Sequence, residues 1–478
     1  MLLLELALLA MVLDFVYRPL LVPGDDLTIF RPGYVSHDSA RLHIRYPEQG
    51  KLELRFKVLG FDQDIGEGVQ ITEPDSQEFV TNTPWESAGE FDPPTNATDF
   101  TTTTALINLR PSTKYLVELH SRQPTLHAES VLLGSVEFKT APPPHSPTRL
   151  RFGIGSCIKP NFPYTLTSSP DVFGFASMLD HSDDLDIIMF MGDFIYADLP
   201  MYFGTSAEDY RRLYRQVYMA QSSRRLLRKV PMLHVYDDHE IKNNWHNQDH
   251  MPMGNAMIAY NEYNGLPNPP PELPAHSYYN FTHGNIAFYA WDTRRYRTQW
   301  EDGSDSDGSA TMLGHDQKRH FFQWLNEVNH TAAVKFVVSS VPLTSGWSST
   351  DASQDTWRGY PTERAEILAL TKDVPNLFFL SGDRHEMAAV ELPSGNIEFS
   401  TSPISQFTFP LVGNFKRNID GEKTLHYRRP GHVKYGILDV DTESNPFIPR
   451  VTYSLYTTDV HQGLKPAWVY RASGVAWN

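Results

Sequence analysis

The sequence predicts a small all-β unit followed by a larger α/β core. Three observations carry this. Residues 27–140 alternate apolar and polar side chains in short runs, a proline-rich stretch follows, and beyond it long apolar runs alternate with helical stretches. At 478 residues the chain is also too long for one ordinary core. Its 40% hydrophobic and 21% charged residues are an ordinary globular balance, and a 12% aromatic share favours β-rich structure with large buried side chains.

Taken in order, residues 1–26 open with MLLLELALLAMVLDFVYRPLLV, an apolar segment of the targeting or anchoring kind. Glu5 and Asp14 interrupt it and no basic residue precedes it, so it departs from both a signal peptide and a spanning helix. A membrane anchor and an amphipathic helix packed on the protein are both open readings. In residues 27–140 the runs RLHIRYP, KLELRFKVLGF, TALINLRP, KYLVELHS and SVEFKT predict a β-sandwich. The stretch ALINLRPSTKYLVELHS, with a tyrosine opening a strand after a proline turn, resembles fibronectin type III modules. Residues 141–147 of APPPHSPTR form a stiff, extended linker. From residue 148 to 478 the strands LRFGIGSC, LDIIMFMGDFIYAD, MLHVYDDHE, NIAFYAWDTRRYR, KFVVSSVPLTS and NLFFLSGDRHE predict the α/β core. Between them a helix is expected near residues 171–179 and a long one over AEDYRRLYRQVYMAQSSRRLLRKV. EDGSDSDGS is expected to be a solvated loop.

A formal net charge of −16 argues against a nucleic-acid-binding module, which needs a basic footprint. An anionic substrate would need local cations, and bound metals supply them. The single cysteine, Cys157, rules out an intramolecular disulfide. Sequons at Asn96, Asn280 and Asn329 predict a glycoprotein of the secretory pathway or the extracellular space, with residues 1–26 as its membrane contact.

In α/β cores ligands collect at the carboxyl ends of strands. Here those ends carry Cys157, then Asp193, Tyr196 and Asp198, then Asp237, Asp238, His239, Glu240, Asn243 and Asn244, and finally Asp383, Arg384, His385 and Glu386. Each has a bland reading. A lone cysteine after a strand is usually a small buried hydrophobe, a GD pair is usually a turn, and one buried histidine is usually a hydrogen-bonded core residue. The combination decides against these, because burying several carboxylates together without a cation costs several kcal/mol per charge.

GDFIYAD, YDDHE followed by NNW, and SGDRHE, in this order, resemble the alkaline phosphatase D (PhoD) family of metallophosphoesterases, and WDTRRYR, MLGHDQKRHFFQWL and DTWRGYPTER look like that family too. The resemblance runs from about Phe30 to the C-terminus. It implies a layered α-β-β-α core and a metal-dependent hydrolase of phosphodiesters, phosphomonoesters or both. It makes Asp193 the ligand that bridges two metals. It places Cys157, Tyr196 and His385 on Fe3+, and Asp238 and Asp383 on Ca2+, where other metallophosphoesterases carry Asn and His. Whether Asp237, Asn243 or Asn244 supplies the remaining oxygen is open. The usual D-x-H opening is absent, no ligand histidine follows KFVVSSVPLTS, and no helix is evident after YSLYTTDVHQG.

The chemistry expected is in-line attack on phosphorus by metal-activated water. His239 would protonate the leaving group or stabilise charge, Arg384 would fork onto phosphate oxygens and Asn244 would donate a further hydrogen bond. Arg294 or Arg295 would add positive charge, and the partner is a small phosphoester. Two other readings compete: an adhesion module whose metallo-domain is inactive, and a haloperoxidase-like or other metal-assisted hydrolase on the same scaffold.

Overall fold

The computed structural model describes residues 2–61, 83–122, 130–165, 170–246, 249–271, 273, 276–298, 305, 308–348, 351–408, 415–458 and 465–475. Most of the acidic loop EDGSDSDGS therefore lies outside the described residues.

Leu2–Leu21 is a helix. Its second half leans on the body, where the Tyr164 hydroxyl donates to Asp14 at 2.9 Å and the Phe15 and Tyr164 rings meet edge to face at 5.8 Å. Two small sheets follow. One orders Ile29–Val35, Ser39–Arg45 and Thr101–Ile107; the other orders Glu86–Phe91, Lys51–Phe61, Thr113–Arg122 and Ser130–Lys139. All their pairings are antiparallel. The alternation seen in the sequence puts Phe30, Leu42, Ile44, Leu52, Leu54, Tyr115, Val117, Leu119 and Phe138 into one shared core. The Arg110 amide donates to the Tyr115 hydroxyl at 2.8 Å, a tyrosine corner that ties the turn to the strand it opens. Ala141–Pro147 carries no strand or helix.

The rest is a mixed α/β fold built on two larger sheets. In the six-stranded sheet Met232–Val235, Ile187–Met191 and Arg149–Gly155 run parallel, and Lys434–Asp441, Arg450–Thr457 and Trp468–Ser473 continue antiparallel. In the seven-stranded sheet Ile286–Ala290, Val334–Val338, Leu377–Ser381 and Ile397–Thr401 are parallel. The sheets share a core in which Phe152 meets Phe288 at 5.4 Å and Phe336 at 5.1 Å, and Phe399 stacks on Tyr453 at 4.2 Å. The other face of the first sheet packs on Ala207–Met219, Gln221–Lys229 and Met253–Tyr260, and that of the second on Gly314–Asn329 and Pro361–Thr371. Strands covered on both faces explain the unbroken apolar runs.

The long helix expected over AEDYRRLYRQVYMAQSSRRLLRKV is two helices, Ala207–Met219 and Gln221–Lys229, broken at Ala220 with ψ 136°. The second start is stabilised from outside the segment: the Ser222 amide donates to the Asp171 carboxylate at 2.8 Å. No local residue announces that cap. One buried ion pair, Asp99 with Arg215, crosses between the two parts of the molecule. Asp99 accepts from Arg45 at 2.9 Å and from Arg215 at 2.6 Å.

Candidate metal centre

Four strands end at one place. Arg149–Gly155 delivers Cys157, Ile187–Met191 delivers Asp193 and Tyr196, Met232–Val235 leads to Asp237, Asp238 and His239, and Leu377–Ser381 leads to Asp383 and His385. The turns are tight. Cys157, Asp193, Asp383 and His385 all have positive φ, at 63°, 60°, 69° and 57°, and Asn244 joins them at 57°. Non-glycine residues are held there only where the surroundings determine them, and such residues gather at functional sites. Gly192 has φ 98°, and a Cβ on it would lie 2.5 Å from the Cβ of Asp237. The GD turn and the DDH turn touch through that missing side chain.

Donor atoms form three groups, each within 4.8 Å: Cys157, Asp193 and His385; Asp193, Asp238 and His239; and Asp193, Asp237, Asp238 and Asp383. Asp193 belongs to all of them. Tyr196 joins the first, its hydroxyl 3.0 Å from the Asp193 carboxylate and 2.9 Å from His385 Nε2. The Cys157 thiol is 3.4 Å from Asp193. Asp193 Oδ1, Asp237 Oδ2 and Asp238 Oδ1 are buried yet accept no hydrogen bond. Carboxylate oxygens so placed are free to ligate, and the donor set suits metal ions. Thiolate, phenolate and imidazole gather on one side, and hard carboxylates on the other.

The electrostatics agree. Burial raises Asp193 well above the carboxylate range, with His239 pulling it down and Asp238 pushing it up. Burial likewise raises Asp383 to about 8 and Asp238 to about 6, against the pull of Arg384 and Arg294 respectively. Burial also pushes the Cys157 thiol up, helped by Asp193 and Asp383. Each of these groups must lose its proton to bind a metal. His385 is lowered to about 3 by burial and by His239, Lys434 and Arg384, so it is the neutral ring a metal requires. His239 is the opposite. Burial works against its charge, but Asp238, Asp193 and a 2.7 Å hydrogen bond between Nδ1 and Asp198 hold it protonated.

A model of PhoD-like phosphatases matches residues 154–446, which takes in every strand end just described. The chain belongs to the PhoD-like phosphatase family. It is 28% identical over 280 residues to alkaline phosphatase D of Bacillus subtilis (strain 168), a match covering 48% of this chain and 46% of that protein's length. The chain thus spans less than half of that curated relative. The solved structure of PhoD superimposes with a TM-score of 0.63 at 18% identity, covering 93% of this chain and 88% of the other. A purple acid phosphatase, PPD1 from yellow lupin seeds, does so with a TM-score of 0.59 at 12% identity over 94% of this chain and 74% of its own. Both share the fold.

Within this PhoD-like frame, Cys157, Asp193, Tyr196, Asp238, His239, Asp383 and His385 all come together. Arg384 lies beside them, forked onto Asp383 and Asp351 at 3.1 Å each. The Asn244 amide donates to Asp238, and its side chain is half-buried. Of the residues left open for the second metal, Asp237 joins the carboxylate group, while Asn243 is exposed. Arg294 differs from expectation. It is wholly buried behind the carboxylates, paired with Asp237, Asp238 and Asp355, and Arg295 pairs with Asp249 instead.

Several supporting residues escaped the sequence. Glu240 accepts the amides of Asp193 at 3.0 Å, Phe194 at 2.5 Å and Asp237 at 2.7 Å, and so clamps the two ligand turns together. Asp198 orients His239, and Asp355 anchors Arg294 and Arg297. Glu240 and Asp198 stand in the motif strings, but only their contacts reveal a role.

Proposed function

We propose that the chain hydrolyses phosphoesters at a two-metal centre. Cys157, Asp193, Tyr196 and His385 would hold Fe3+, and Asp193, Asp238 and Asp383 would hold Ca2+, with Asp237 as the further carboxylate. The observation that carries this is the sharing of Asp193 by all three donor groups, in a member of the PhoD-like family. We read the larger part as a four-layered α-β-β-α core (residues 148–478) and residues 27–140 as a fibronectin III-like sandwich joined by the 141–147 linker. Export to the secretory pathway or beyond fits the sequon Asn96, which stands exposed in a short turn.

When bound, the metals clamp phosphoryl oxygens and lower the pKa of water. The protein's own residues supply the rest. His239, protonated and fixed through Nδ1 by Asp198, presents Nε2 as the acid for the leaving oxygen. Arg384, set beside Asp383, offers a guanidinium for the phosphoryl group. Asn244 is held at the edge of the second site through its amide bond to Asp238. Because Asp198 and Asp383 already orient these groups, little reorganisation is left for the reacting state.

The test is elemental analysis with an ester panel. Purified protein should contain iron and calcium and show a visible charge-transfer band from thiolate and phenolate. Asp193→Asn should lose both metals and turnover while keeping its circular dichroism. Colourless, iron-free protein with full activity would remove the iron assignment, and turnover of non-phosphate substrates alone would favour another metal-assisted hydrolase.

A further inference from the structure

The helix Leu2–Leu21 buries none of its residues, and from Leu2 to Ala10 every one is exposed. Leu2, Leu3, Leu4, Leu6, Leu8 and Leu9 are exposed by 69%, 84%, 65%, 52%, 52% and 53%. At 100° per residue these side chains point all round the helix rather than along one stripe. Glu5 is the only charged residue from Leu2 to Leu13. A partner helix or groove covers one stripe. A helix apolar on every side is covered by a medium, and the medium that does so is lipid.

The base of the helix carries the matching charge. Gln221–Lys229 presents Arg224, Arg225 and Arg228 to solvent, and no ion pair to a carboxylate is seen for them among the described residues. Arg224 and Arg228 line, with Arg18 and Val22 of the N-terminal helix, a groove of about 450 Å3 in which Asp26 is the only acid. Arg228 is held below its ordinary value chiefly by partial burial, with Arg224 adding to it. In a chain of net charge −16 this is a local reversal of sign. Charges farther away than about 8 Å are largely screened at physiological salt, so the local cluster governs contact with a surface.

We propose that Leu2–Leu13 inserts into one leaflet of a bilayer while Arg224, Arg225 and Arg228 engage anionic lipid headgroups at its base. The length fits. Twelve helical residues rise about 18 Å, against a hydrocarbon core of about 30 Å, so this segment by itself matches about the depth of one leaflet. No helix among the described residues is long and apolar enough to cross a membrane. The inner half of the helix shares a cavity with Tyr196 through Phe15 and Lys159, so the docked helix and the metal centre adjoin.

The test is co-sedimentation of the full chain with phosphatidylcholine vesicles, with and without phosphatidylglycerol, at physiological salt. Binding is expected, and stronger with phosphatidylglycerol. Leu3→Asp with Leu6→Asp and Leu9→Asp should abolish it. Reversing the three arginines to glutamate should weaken binding to anionic vesicles by about tenfold or more, with solution turnover of a soluble ester unchanged. Glu5→Leu should tighten it. Failure of the wild-type chain to bind either vesicle overturns the proposal. So does light scattering that shows a dimer lost on the same leucine changes without vesicle binding, since the occupant is then a second copy.

Discussion

At the scale of single residues, the centre depends on groups set behind its donor atoms. Glu240 is buried, and its carboxylate receives three backbone amides from the turns that carry Asp193 and Asp237. A carboxylate in that position accepts without donating, which is what several converging N–H groups need. Glu240→Ala would leave those amides buried and unpaired, at roughly 1–3 kcal/mol each. We expect a loss of about 3 kcal/mol or more in denaturant unfolding of the metal-free protein, together with a lower metal content after reconstitution. Wild-type stability in this variant would mean that water or backbone movement replaces the clamp. The same logic separates Arg294 from Arg384. Arg294 is spent on holding carboxylates together, whereas Arg384 stands at the edge of the cluster.

At the scale of elements, parallel strands end in turns too tight for ordinary residues. Gly192→Ala would drive a Cβ against Asp237 and strain a backbone at φ 98°. The turn must then shift Asp193 away from its partners. Metal content and turnover should fall by at least about tenfold while the melting curve stays cooperative, because a misplacement near 1 Å is enough to spoil such a site. Gly60→Ala is the control. Its added Cβ meets nothing within 4 Å, so that variant should behave like the parent. Equal loss in both variants would point to a general effect of removing glycine.

At the scale of the whole molecule, the carboxylate cluster links metal, proton and stability. In the metal-free chain Asp193, Asp238 and Asp383 titrate above their unfolded values, Asp238 at about 6 and Asp383 at about 8. A raised folded value means that the stabilising contribution is present below the unfolded pKa and is lost as pH rises through the folded one. Chelator-stripped protein should therefore melt at progressively lower temperature from about pH 5 to pH 8, and loaded protein should not. The gap between the two melting temperatures should widen with pH; a gap that narrows would contradict the coupling. Asp355 and Asp198 are shifted the other way, lowered against burial by their arginine and histidine partners.

Charge also bears on the substrate. A monoester carries nearly two negative charges near neutral pH and a diester one. The protein is at −16, and four aspartates of one cluster offset its metals. We expect diesters to be preferred, read as kcat/KM for a matched aryl diester and monoester with calcium present. A monoester preference of about tenfold, roughly 1.4 kcal/mol in the transition state, would reverse this expectation.

Much of this was legible in the sequence because strand ends are local facts. An apolar run followed by GSC, GD, DDH or GDRH names the element and the donors at its tip, so Cys157, Asp193, Tyr196, Asp238, His239, Asp383 and His385 stood out as a set, although each alone had a bland reading. The motif order carried the family. What the sequence left undecided is set by distances between segments far apart in the chain. The helix break at Ala220 is capped by Asp171, 51 residues before Ser222. Arg294 and Arg295 are neighbours with opposite fates, because only the first faces Asp237 and Asp355. Residues 1–26 read as either anchor or packed helix, and tertiary contacts gave each half a different answer: Asp14 and Phe15 dock, while Leu2 to Ala10 stay uncovered. Local pattern determines which groups a strand end offers; only the packing of one end against another decides which group binds a metal, which holds a partner in place and which is left facing outward.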